Sequence, residues 1–140
     1  MTTQQIQLIQ QSWEWVKPVA QQAGINFYEK LFIAAPHIRH LFKEDITEQA
    51  KKLTATLGFV VAKIDRLQDI MTDIERLGER HHSYGARPEH YDVVGQCLIE
   101  TLEEGLGDKW TEELQDAWRS AFNTLKAAMI SAQQAAHQNA

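Results

Sequence analysis

The sequence predicts an all-α domain, and three observations carry that prediction. Apolar residues recur at steps of three and four almost throughout the chain, the spacing that aligns side chains on one helix face. No segment sustains the period-two alternation of a half-buried strand. Glycines, prolines and short polar breaks separate the apolar stripes, so the connections are a few residues long. The 140 residues are enough for one domain with a full core and too few for two of ordinary size.

The elements follow in order. Thr2 and Gln5 read as a capping box in front of the face Ile6, Ile9, Trp13, Val16 and Ala20. Pro18 ends or kinks that helix, because it lacks a donor and clashes with the preceding turn. Gly24 punctuates, and Ile25, Tyr28, Leu31 and Phe32 form a second stripe stopped before Pro36. "PHIRHLF" (Pro36–Phe42) is a short helix with proline in its first turn. Asp45 with Glu48 caps the next stripe: Ile46, Leu53, Leu57, Val60, Val61, Ile64 and Leu67, with a turn near Asp65–Leu67. Leu67, Ile70, Ile74 and Leu77 make another, closed by Gly85 and followed by a restart at Pro88. Val94, Leu98, Leu102 and Leu106 come next, with Gly105 and Gly107 as breaks. Thr111, Glu112 and Glu113 open the last helix, whose face is Leu114, Trp118, Ala121, Leu125 and Ala128. The count is six or seven helices on one core. The domain is expected over residues 1–130, and 131–140 read as a polar tail, the end of the last helix and then frayed.

A net charge of −5 argues against a nucleic-acid or anionic-membrane surface, which needs a basic stripe. With Cys97 as the single cysteine, neither an internal disulfide nor a cysteine-based zinc site is possible. A reducing, cytoplasmic setting fits. The first residues lack the basic and apolar regions of a signal peptide, and no apolar run reaches the ~18 residues of a membrane span.

"LGERHHSYGARP" (Leu77–Pro88) sets two histidines side by side. Extending the stripe Leu67, Ile70, Ile74, Leu77 lands on His81 and then Tyr84, whereas His82 lies about 100° around the helix, with Gly78, and points outward. Spacing alone favours a buried, hydrogen-bonded His81. The sharper reading is a metal ligand, but no second ligand stands at i+3 or i+4 on the same face. A single inward histidine suits a metal whose other ligands come from a macrocycle, as in haem with a proximal histidine.

From about Gln4 to Ile130 the chain resembles the globins, and more closely the single-domain bacterial haemoglobins and the haem domains of flavohaemoglobins. Four stretches carry the resemblance, in the family's order: "NFYEKLF" (Asn26–Phe32), "PHIRHLF", "EQAKKL" (Glu48–Leu53) and "RHHSYGARPEHYDVVGQCL" (Arg80–Leu98). It implies a globin fold of six to eight helices around a pocket for haem b (iron protoporphyrin IX). It also implies His81 as the proximal iron ligand, Phe42 stacked on the macrocycle, Tyr28 and Gln49 on the distal side, and Leu53 walling the ligand site. Tyr91 matches a tyrosine beside the proximal histidine. That tyrosine's glutamate partner falls on Gln133, which can bond but carries no charge. Lys52 and Arg80 are candidates for the haem propionates, with solvated surface charges as the alternative. Because Gln49 stands where many globins have histidine, an open sixth position is expected.

The function this implies is binding of oxygen and other diatomic ligands (O2, CO, NO) as carrier, store or scavenger. Two hydrogen bonds to a bound ligand, at roughly 1 kcal/mol each, slow its release by about one to two orders of magnitude. The alternative is a nitric oxide dioxygenase served by a separate reductase, since the sequence has no glycine-rich phosphate loop. A gas sensor would need an output domain. A haem-free helical module leaves Tyr28, Phe42, Gln49 and His81 unexplained as a set.

Overall fold

The computed structural model describes residues 1–42 and 44–139, the last four of them by backbone alone. Among the described residues there is no strand, and six α-helices alternate with short 3-10 turns. Helix α1 (Thr3–Val16) opens on the expected capping box: the Thr2 hydroxyl accepts from the Gln5 N–H, and the Gln5 side chain accepts from the Thr2 N–H. Pro18 sits in a 3-10 turn, Lys17–Val19, that hands over to α2 (Ala20–Ala34). A second 3-10 turn, Pro36–Leu41, leads to α3 (Ile46–Ala62), whose Asp45 cap accepts from the Glu48 N–H at 2.9 Å. The turn expected near Asp65–Leu67 is present, with Arg66 out of helical geometry at φ −147° and ψ 54°. Helices α4 (Met71–Ser83), α5 (His90–Leu106) and α6 (Glu112–Asn139) complete the chain, and the Thr111 hydroxyl caps α6 by accepting from the Leu114 N–H.

Several expectations need correction. Gly24 does not punctuate: it lies inside α2, where an added Cβ would stand 2.9 Å from the Ala50 Cβ. Its missing side chain lets α2 and α3 touch. Gly105 likewise lies within α5, and only Gly107, at φ +54°, ends that helix. Gly85, at φ +93°, ends α4 in a conformation other residues resist, and the Ala86 N–H returns to the His81 carbonyl at 2.9 Å. Tyr84, placed on the apolar stripe by spacing, is 61% exposed because the helix has ended before it. His82 is half-buried rather than outward. It shares its face with Gly78, and that face turns toward α6: a Cβ on Gly78 would meet the Met129 backbone at 2.6 Å.

The core joins first helix to last. Ser12 is fully buried; its hydroxyl donates to the Leu8 carbonyl and accepts from the Trp118 indole N–H at 2.9 Å. Trp13 lies 6.5 Å from Trp118 between ring centres. Ile9 and Leu31 are almost completely buried, and burial of side chains this size contributes roughly 1.5–3 kcal/mol each. This frame holds α4 along α6 and α3 across α2, the two pairings that carry the residues singled out above.

Candidate functional site

His81 lies in the last turn of α4, where the helix presents Ile74 and Leu77 to the core. Its Nδ1 stands 2.8 Å from the Leu77 carbonyl, one helical turn back. A carbonyl only accepts, so Nδ1 carries the proton and the lone pair of Nε2 is free. Burial lowers the imidazole pKa; the Leu77 bond opposes that shift, and the nearby Arg80 charge adds to it. The ring is therefore neutral at pH 7, the state in which histidine can bind a metal.

The Tyr91 ring lies against His81, with centres 6.3 Å apart and planes 27° from parallel. The Tyr91 hydroxyl donates to Gln133 Oε1 at 3.0 Å, and Gln133 Nε2 donates to the Ala86 carbonyl. Gln133 thus ties α6 to α5 and to the corner after α4, and it is buried. The two contacts demand opposite roles of its two ends. An amide meets both; a carboxylate would set an oxygen against the Ala86 carbonyl. Gln133→Glu is expected to destabilise the fold by about 1–3 kcal/mol, the usual cost of unpaired buried polar groups. Its buried carboxyl has a raised folded pKa, so the loss should grow as pH rises above the ordinary carboxyl value and level off past the folded one. Urea unfolding at several pH values checks it, and equal stability for glutamine and glutamate at neutral pH would contradict it.

On α2, Tyr28 is 7% exposed, and its ring meets Phe27, Phe32 and Phe42 at 4.9, 5.9 and 5.5 Å. Phe32 and Phe42 are themselves 5.4 Å apart, and the Arg39 guanidinium covers Phe32 at 4.7 Å. The Tyr28 hydroxyl has no hydrogen-bond partner among the described residues, yet it is not sealed off. Burial pushes its pKa up to about 12, so it stays a donor at neutral pH. Gln49 is half-buried in the first turn of α3; its backbone N–H bonds the Asp45 carbonyl, and its side chain likewise has no partner among the described residues. Leu53, one turn on, packs against the core.

The turn Pro36–Leu41 reaches the corner after α4. The Leu41 side chain lies where a Cβ on Gly85 would come within 3.1 Å of it. Lys52 pairs with Glu44 at 2.5 Å; that bond, and more weakly the Tyr84 phenol across the gap from α3 to α4, favours its charged form. Arg80 is exposed beside His81. Sequence reasoning missed Phe32 as part of the aromatic wall and the Leu77 and Ala86 carbonyls as acceptors. The first two were legible as positions one helical turn from Tyr28 and His81.

Among the described residues no group of three or more His, Cys, Asp or Glu side chains could hold a metal ion. The donor set is one neutral imidazole on α4; elsewhere the chain offers an aromatic cluster and two polar side chains, Tyr28 and Gln49, with no partner among the described residues. It fits a metal that brings its other ligands in a flat apolar macrocycle.

Comparison with known proteins gives the family. Residues 25–129 match the family model "Globin". The chain belongs to the globin family, and its all-α architecture is the globin fold. It is 32% identical over 120 residues to the flavohemoprotein of Bacillus subtilis, covering 81% of this chain and 30% of that protein. It is 29% identical to an anaerobic nitrite reductase of Gossypium hirsutum, covering 91% of this chain and 88% of the relative. A bacterial globin from Campylobacter jejuni superposes with a TM-score of 0.87 at 23% identity, over 98% of this chain and 99% of that one. An engineered carbene transferase from Rhodothermus marinus, a candidate nitric oxide dioxygenase, superposes with a TM-score of 0.90 at 25% identity, over 99% and 96% of the two chains. The chain spans about a third of the length of the flavohemoproteins it matches. Among the described residues no helix is long and apolar enough to cross a membrane.

Proposed function

We propose that the chain is a haem b protein that binds oxygen, and also CO and NO, tightly at a pentacoordinate iron. The observation that carries this reading is His81: neutral, inward, Nδ1 engaged by the Leu77 carbonyl and Nε2 left free. The bound macrocycle supplies an open coordination position for a gas and the redox chemistry of iron. The chain's own residues do the rest. His81 Nε2 holds the metal, and the Leu77 bond fixes its tautomer and ring plane. Phe42 and Phe32 exclude water from one side of the pocket, and Leu53 narrows the ligand space. The Tyr28 hydroxyl and the Gln49 amide donate to the ligand, two polar ends that have no partner among the described residues. Tyr91 and Gln133 brace the proximal side without adding charge, so His81 stays an ordinary imidazole donor rather than an electron-rich one. Lys52 and Arg80 sit at the rim, where propionate groups would meet them.

Haemin titrated into haem-free protein should give a Soret band that saturates at one haem per chain. No saturable band overturns the reading.

The flavohemoprotein relatives and the Rhodothermus neighbour favour a second reading, nitric oxide dioxygenase drawing electrons from a separate reductase. Sustained NO consumption with a reductase present separates it from a carrier; one fast turnover does not.

A further inference from the structure

A groove of about 670 Å³ opens between α1 and α3, lined by Gln7, Gln10, Trp13, Glu14, Lys17 and Gly58 among others. None of the residues assigned to haem lines it. Its floor carries an unusual group. Trp13 is only 5% exposed, and its indole N–H has no hydrogen-bond partner among the described residues, whereas the neighbouring Trp118 N–H is met by Ser12. No side-chain nitrogen or oxygen is both sealed and unpaired among the described residues, so the Trp13 N–H reaches open space. Gly58 supplies the opening: a Cβ there would stand 3.6 Å from Trp13 Nε1 and 3.7 Å from Cζ2. A buried indole N–H thus looks out past a glycine into the groove.

The rest of the lining narrows the ligand chemistry. Glu14 and Lys17 neutralise each other at 2.8 Å, so the groove presents no net charge. Gln10 donates its Nε2 to the Val61 carbonyl, which leaves its Oε1 as an unused acceptor beside the Trp13 donor. The indole edge, Val61 and Ala62 add apolar surface.

We propose that this groove is a second binding site, independent of haem, for a small, flat, neutral ligand with a carbonyl beside an N–H, as in a cyclic amide. The ligand carbonyl accepts from Trp13 Nε1–H, and its N–H donates to Gln10 Oε1.

Uracil is a suitable probe, read by the indole N–H signals of the protein as purified. The sequence has four tryptophans, so four signals are expected, with Trp13→Phe identifying one. Uracil should move the Trp13 signal saturably and leave that of Trp118 in place. Gly58→Ala makes only ordinary contacts, and a residue with better helix propensity should raise the melting temperature. Its methyl nevertheless fills the space beside the N–H, so binding should weaken at least ten-fold. The N,N′-dimethyl derivative of uracil, which lacks donors, should bind at least ten-fold more weakly to the unaltered chain. An unmoved Trp13 signal, a shift that persists in Gly58→Ala, or equal binding of the dimethyl derivative overturns the proposal.

Discussion

His81→Ala should weaken haem binding by more than the roughly 10–100-fold that losing a mere supporting partner of a metal ligand costs. The haem that remains should show a shifted Soret band. Alanine is a better helix former than histidine by a few tenths of a kcal/mol, so the fold should survive, and far-ultraviolet circular dichroism should be unchanged. Because His81 is half-buried against the Tyr91 ring, its removal leaves a gap beside that ring. Added imidazole should occupy it and restore the spectrum. His82→Ala is the control. His82 sits on the face that turns to α6, so its loss should leave the spectrum alone. A normal spectrum in His81→Ala, or loss of haem in His82→Ala instead, would overturn the assignment of the proximal ligand.

Tyr28→Phe should act in opposite directions on two measurements. The ring keeps its packing against Phe27, Phe32 and Phe42, and the hydroxyl it loses has no partner among the described residues. Stability of the ligand-free protein should therefore hold or rise, by up to about 1 kcal/mol. The oxygen off-rate should rise about ten-fold, because a hydrogen bond to a ligand with partial charge is worth about 1.5 kcal/mol and each 1.4 kcal/mol is a decade. Stopped-flow displacement of oxygen by CO gives the rate, and urea unfolding gives the stability. A tyrosine held only for packing would leave the off-rate unchanged, and that result would sink the distal role.

The helix starts were legible in the sequence because their signals are local. Thr2 with Gln5, Asp45 with Glu48, and Thr111 each cap where the spacing placed them. The glycines were misread for the opposite reason. Gly24 and Gly105 look like breaks in one dimension, but whether a helix runs through a glycine depends on what stands beside it in three. Periodicity put His81 on the core-facing stripe, and its hydrogen bond to Leu77 follows from helix geometry. His82 was misplaced because an apolar stripe reports one face of α4, whereas Gly78 lets the neighbouring face pack on the α6 backbone. Gln133 stands more than forty residues from both its partners. No local pattern could have joined it to Ala86. The unpartnered hydroxyl of Tyr28 was equally invisible, because the lack of a neighbour leaves no mark in a sequence.

Helix α4 meets α6 backbone to backbone at Gly78, whereas the opposite wall of the proposed pocket would be built from side chains, Tyr28, Phe32 and Phe42 among them. The two sides therefore differ in how freely they can be rewritten. A substitution at Gly78 must push whole helices apart, so that position admits almost no variation. Each residue of the opposite wall can be exchanged singly, for another of similar bulk, without moving the main chain. On the proposed function, gas preference would be open to small mutational steps, in a laboratory or in a lineage, while the seat of the imidazole would be held to one backbone arrangement.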